Sequence, residues 1–415
     1  MNVNYLHRQL KKRKELKHYE IKPIGSAIRL RRKELKMTLE EGAEGICSIS
    51  YLSKLENNQI DPNLDFVDRL VERFELKEQI AYDIERYEND LVELTELMIN
   101  LEKPKRSYIN NYQDREDHQA RMIQLIESTL LEEYDLTSIN FKVVQQFIPN
   151  LKQSELTLVL MCMAEALLKG EQYRDAYQMI SEISLNDQEI LNHYILTLRT
   201  RLRLSFLMHK TADIELYYHH YISLVDQQGY DHLAKEMKIN YLLHISHFQL
   251  PREIKRMEMT MDRFNQLEHL PYAISCYIHK RYDDVINMAK KRQSLSGWLV
   301  IYLLSLEKKE HFEELNYVIT NRLPEKMTLA EEIIIKHLQF KYMKTEKELL
   351  QHLRRDVLQS KLKSDDPMML EYMMMDCSRL FAKSQFYKEA SQIISLYQPE
   401  LKNFKIACPN HEGEV

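Results

Sequence analysis

At 415 residues, and roughly 100–200 residues per domain, the chain is expected to hold two to four domains. With only 7 glycines and 10 prolines against a usual glycine share of about 7%, and no G-x-G-x-x-G, P-loop or G-x-S-x-G pattern, it loses the entry points of nucleotide folds and α/β-hydrolases and reads as helical. The net charge of −5 hides a division: residues 1–36 hold 12 Lys/Arg against 3 Asp/Glu, and the remainder sums to −14, a basic end on an acidic body that points to a polyanion-binding head.

Residues 1–23 form a basic extension (Lys11, Lys12, Arg13, Lys14, Lys17) ending at Pro23. Its apolar residues, Leu6, Leu10 and Tyr19, are too sparse for a core face, so it reads as a short helix or a loose arm, lying on a polyanion backbone or hanging as a tail. Residues 24–77 change character: short amphipathic runs broken at Thr38, Gly45/Ser48 and 57–62 predict four or five compact helices. Next comes a linker, 78–110. Ile80, Ile84, Tyr87, Leu91, Leu94 and Met98 stand at helical spacing over 78–102, and Pro104 marks a break and domain boundary. Residues 111–405 are a succession of helices with short polar breaks, and 406–415 are a tail.

Within that succession a phrase recurs: apolar helix, polar turn, aromatic, two residues, small or apolar. Its instances are Tyr173-x-x-Ala176, Tyr282-x-x-Val285, Phe312-x-x-Leu315 and Tyr387-x-x-Ala390. The intervals fit a period near 34, which predicts about eight helix pairs. Physically, the aromatic would wedge into the preceding hairpin while the small residue lets the second helix approach. The pattern resembles divergent tetratricopeptide repeats, whose hairpins stack into a superhelix with a concave groove. The fold class expected is all-α, a small domain of compact helices over 24–77 followed by an α-solenoid.

The most informative stretch is 24–57. Thr38-x-x-Glu41 is a capping box opening one helix. In Gly45-Ile46-Cys47-Ser48-Ile49-Ser50-Tyr51-Leu52-Ser53-Lys54-Leu55-Glu56-Asn57, Ser48 caps the next, with Leu52 and Leu55 inward and Ser50, Tyr51 and Lys54 outward. These residues resemble the phage-repressor (Cro/C1) helix-turn-helix, and 46–57 is similar to the peptide-pheromone-responsive regulators of Gram-positive bacteria, the RNPP group (Rgg/PlcR-like). The resemblance covers 24–76. It implies a salt bridge from Arg32 to Glu56 that orients the recognition helix, and DNA contacts from Thr38, Ser48, Ser50, Tyr51, Lys54 and Asn57. Gly42 departs from the family's usual leucine and would forfeit packing, at about 1 kcal/mol in helix propensity. Asn58 replaces a glycine after the helix.

The resemblance also implies that the body senses a short signalling peptide. An extended peptide offers alternating donors and acceptors that an asparagine amide satisfies at both ends. Asn192, Arg199 and Arg203 lie near one helix face, opposite a stripe of Leu191, Leu198 and Leu202. Asn240, His244 and His247 do the same on a second helix. The methionines around 368–375 are core filler or a homodimer surface.

Five cysteines, an odd number with no C-x-x-C pair, indicate neither a disulfide framework nor a zinc knuckle and fit a reducing cytoplasm. The apolar windows 156–168 and 298–304 fall short of the roughly 18 residues of a membrane span, and the basic start lacks an apolar leader. His219-His220, His244-x-x-His247 and Cys408-x-x-His411 are partial metal-ligand patterns only, and no nucleophile is paired with a base. The reading is a cytoplasmic, homodimeric transcription regulator that binds double-stranded DNA and a short peptide, without metal, cofactor, membrane or enzymatic activity. The alternative is a regulator whose repeats dock a partner protein, such as a response regulator.

Overall fold

The computed structural model describes residues 3–15, 24–56, 60, 63–112, 118–170, 172–185, 190–260, 269–325, 327–359 and 367–405. Among these the chain is all-α, with no strand. It divides into two compact units, Met1–Leu204 and Ser205–Val415.

The first unit holds α1 (Val3–Glu15), α2 (Ile24–Glu34), α3 (Leu39–Ala43), α4 (Ile49–Glu56), α5 (Leu64–Arg73), α6 (Lys77–Asn100), α7 (His118–Leu130), α8 (Tyr134–Val144), α9 (Gln153–Lys169), α10 (Tyr173–Ser181) and most of α11 (Leu191–Leu207). Two 3-10 turns, Ile109–Tyr112 and Gln145–Asn150, interrupt the series. The polar face of the long helix α6 fastens it to residues later in the chain. Asp90 accepts from the Tyr112 hydroxyl at 3.0 Å, Glu93 pairs with Arg106 at 2.6 Å and accepts from Tyr108 at 2.8 Å, and Tyr87 donates to Glu155 at 2.8 Å.

The basic extension is not a loose arm over its described part. Leu6, Gln9 and Leu10 are buried, and α1 packs on the 3-10 turn Gln145–Asn150. Arg13 donates to the carbonyls of Ile148, Pro149 and Leu151 and to the Gln153 side chain. An apolar pair four residues apart suffices here because the arginine one turn further on donates to carbonyls at the end of the 3-10 turn.

In the second unit α12 (Thr211–Gln227), α13 (Asp231–Ile245), α14 (Pro251–Thr260), α15 (Leu270–Ile278), α16 (Tyr282–Lys290), α17 (Leu299–Lys308), α18 (Phe312–Asn321), α19 (Leu329–Met343), α20 (Glu346–His352), α21 (Pro367–Lys383) and α22 (Tyr387–Lys405) succeed one another. From α12 to α18, and within the pairs α19/α20 and α21/α22, sequential neighbours pack, and the odd helices α13, α15, α17, α19 and α21 also pack on one another in order. That double neighbourhood is the contact pattern of a solenoid. It leaves α17 enclosed: residues 299–306 are all buried, as an apolar run without a polar face requires.

The hairpin turns share one device. Lys280, Glu310 and Gln385 take positive φ (60°, 58° and 65°), and the next N–H reaches back to Cys276, Leu306 and Phe381 at 2.8–2.9 Å. This Schellman closure leaves three residues between one helix and the next. The aromatic that opens the second helix is not the buried wedge that the sequence pattern predicts. Tyr387 is 68% exposed and Phe312 39%, whereas Val285, Leu315 and Ala390 three residues on are buried. The buried position is the one facing the preceding helix; the first residue of a helix projects past the turn.

Polar partners lie about one repeat apart. Lys341 bridges Glu307 (34 residues back, 2.7 Å) and Asp376 (35 residues on, 2.7 Å), and His337 reaches Asp376 at 2.9 Å, so α17, α19 and α21 share one buried network. Burial alone would raise the Asp376 carboxyl, but the His337 hydrogen bond and the Lys341 charge outweigh it and hold it at about 2. The methionine run lies against the same stack. Met369, Met373 and Met374 are buried in the core and only Met375 is exposed, at 54%, so this run does not offer the apolar dimer surface anticipated from its composition.

Candidate nucleic-acid interface

Helices α2 to α5 enclose a small core of Ile28, Leu52, Leu55, Leu70 and Phe74. Each helix is short, so its ends are secured by side chains. Thr38 opens α3 with the capping box: its hydroxyl accepts from Glu41 N–H at 3.2 Å, and its own N–H donates to the Glu41 carboxylate at 2.6 Å. The hydrogen bond from the Thr38 backbone holds the Glu41 carboxyl below its usual range. Gly45, at φ +69°, makes the turn. Ser48 then accepts from Tyr51 N–H at 3.1 Å and starts α4.

At the far end of α4, Arg32 donates from Nε and Nη2 to the two oxygens of Glu56, both at 2.7 Å, and from Nη1 to the Met37 carbonyl at 2.7 Å. Glu56 is 4% exposed. The Glu56 hydrogen bond raises the Arg32 guanidinium above its ordinary value against the opposing effect of burial. A bidentate pair fixes angle as well as distance, so α2 sets the orientation of α4.

Gly42 has a structural reason. It is buried, and a Cβ there would stand 3.0 Å from Arg32 Cδ, 3.2 Å from Leu52 Cδ2 and 3.4 Å from Phe74 Cζ. The space a leucine would take is filled by the arginine stem and the phenylalanine, so the packing is moved rather than lost.

On its outer face α4 presents Ser50 and Lys54, both exposed, with Ser48 and Ile49 (47% exposed) at its start. Tyr51 is half-buried. Its hydroxyl accepts the Asn63 N–H at 2.7 Å and its ring meets Phe66 edge-on at 5.1 Å, so it ties α4 to α5. Asn57 and Asn58 lie outside the described residues. Two residues that the sequence does not single out also act here: Arg73 donates to the Glu44 carbonyl at 2.6 Å and Arg69 to that of Gly45. The signal for them is indirect: a five-residue helix followed by glycine leaves carbonyls that something must satisfy.

The candidate peptide residues are distributed over both units. In the first, Asn192 is half-buried and Arg199 is buried, while Arg203 is committed to Glu165 at 2.8 and 2.9 Å. Leu191 is 42% exposed; Ile195, Leu198 and Leu202 form the inward stripe. In the second, Asn240 is half-buried and His244 is 4% exposed, edge-on to Phe206 at 6.1 Å and Phe248 at 5.2 Å. Burial pushes the His244 imidazole down to about 4, with the nearby His209 adding to the effect.

Residues 28–80 match the helix-turn-helix family. Comparison with curated proteins and with solved structures gives no match. The head is thus a helix-turn-helix of the Cro/C1 type, and its presence supports a sequence-specific DNA-binding regulator. No helix among the described residues is long and apolar enough to cross a membrane.

Proposed function

We propose that the chain is a transcription regulator whose α4 enters the major groove, reading base edges with Ser50 and Lys54 while Thr38, Ser48 and Asn57 meet the backbone. Tyr51 holds α4 on α5 and flanks the contact. The observation that carries this reading is the division of α4: Leu52, Leu55 and Glu56 are buried and the opposite face is exposed and polar. A helix built only for packing has no need of a bidentate anchor at its C-terminal end.

The body, in this reading, carries tetratricopeptide-like repeats that bind a short signalling peptide, with Asn192 in the first unit and Asn240 in the second as candidate contacts, and the protein acts as a homodimer, because one such head reads a half-site. The stack of odd helices and the 34–38-residue spacing of polar partners support the repeat assignment. The experiment selects a duplex from a randomised pool with the full-length protein. Ser50→Ala and Lys54→Ala should each weaken binding to the selected duplex with unchanged helical content. Equal binding by both variants would reject α4 as the reading helix. Asn192→Ala with Asn240→Ala should abolish the effect of an activating synthetic peptide on DNA binding and leave ligand-free affinity intact. A full response would remove these residues from the sensing site.

A further inference from the structure

The anchor at the C-terminal end of α4 has a counterpart at its N-terminal end. α3 is five residues long and is followed by the positive-φ Gly45, so its terminal carbonyls cannot all be satisfied within the helix. Two arginines one turn apart on α5 reach them. Arg73 Nη1 donates to the Glu44 carbonyl at 2.6 Å and lies 3.4 Å from those of Glu41 and Gly42, and Arg69 Nη2 donates to the Gly45 carbonyl. The two cations also sit at the negative end of the α3 dipole, where positive charge is favourable.

Both arginines are exposed, yet their donors are directed at protein carbonyls. We infer that Arg69 and Arg73 are positioning residues for DNA reading: they staple the turn between α3 and α4 and so set where the N-terminal end of α4 enters the groove. Together with Arg32 they hold α4 at both ends from two different helices, α2 and α5. The planar guanidinium suits the task because one fork reaches several carbonyls at fixed angles, which an ammonium cannot reproduce.

This inference rests on α4 being the reading helix, and the experiment separates the two claims. Full-length protein is measured against its selected duplex and a scrambled one across a salt series, for Arg73→Ala, Arg73→Lys, Arg69→Ala and, as controls, Lys54→Ala and Ser50→Ala. If the arginines position α4, Arg73→Ala lowers the ratio of specific to scrambled affinity about tenfold, comparable to losing one base-pair reading, with the salt slope unchanged. Arg73→Lys restores that ratio only in part. If instead they contact phosphate, each alanine variant lowers the slope by about 0.9 with a constant affinity ratio, and lysine restores it; that result overturns the inference. An unchanged ratio in both Arg69→Ala and Arg73→Ala overturns it as well. Should Arg73→Ala fail to fold, Arg73→Lys and Arg69→Ala decide the question by the same two readouts. Lys54→Ala and Ser50→Ala ratios that both equal wild type refute the reading helix itself, whatever the arginines do.

Discussion

The head and the second unit solve opposite problems. Around α4 the core is small, and the short helices are secured by side chains reaching backbone or carboxylate: Thr38 with Glu41, Ser48 at Tyr51, Arg32 at Glu56, Arg69 and Arg73 at the turn. In the second unit one apolar cluster runs from Ala273 to Leu401, and a polar network is buried inside the stack in addition to the capping boxes that open α19 and α20. The contrast shows where each region is sensitive. A head built on a few directional bonds is specified by geometry and fails when one anchor is lost. A stack held by continuous burial tolerates surface change and fails when a charge is stranded within it.

That contrast can be tested from its strongest point downward. Asp376→Ala should cost about 3–5 kcal/mol, because it leaves Lys341 and His337 without the carboxylate they share inside the stack; a urea titration followed by the fluorescence of Trp298, itself in that cluster, reports it. Glu56→Ala should cost the head about 3 kcal/mol by stranding Arg32, whose side chain is 11% exposed. It should lower DNA binding and head stability together, and a loss of binding with an unchanged head melt would contradict the anchor role.

Acid should act on the body through its buried histidines. Burial holds the folded-state values of His193 and His244 at about 4, below the ordinary 6.5. Between those values the unfolded chain binds more protons than the folded one, so the stabilisation is complete above pH 6.5 and is lost as pH falls toward 4. Each imidazole contributes on the order of a few kcal/mol. Urea midpoints measured from pH 7 to 4.5 should fall, and the fall should shrink in His244→Gln. The smallest expected effect is at Gly42. Gly42→Ala gains helix propensity but crowds Arg32 and Leu52, for a net loss of about 1 kcal/mol. A stabilised Gly42→Ala head would show that the contact is loose.

The features legible in the sequence are those written in local spacing. The Thr38/Glu41 capping box, the Ser48 cap and the long α6 come from residues three or four apart, and the all-α solenoid comes from repeated short helices and scarce glycine. The features that are not legible depend on neighbours distant in the chain. Gly42 reads as a defect until Arg32 and Phe74 are seen to occupy its space. Leu6 and Leu10 read as sparse until the turn at 145–150 meets them. The methionines at 369–374 read equally as surface or core, since composition does not tell which side of a helix a neighbour covers. Arg203 reads as a ligand group because its partner, Glu165, stands 38 residues earlier on α9.

The head is attached to the body at both of its ends. α1 precedes it and is fastened to residues 148–153; α6 comes after it and is fastened to Glu155, through Tyr87, and to Lys152, through Glu88 at 3.0 Å. Both strands of chain that flank the head are therefore moored to the same short stretch at the start of α9. The described helices on either side of the head, α1 and α6, thus share one anchoring stretch, residues 148–155.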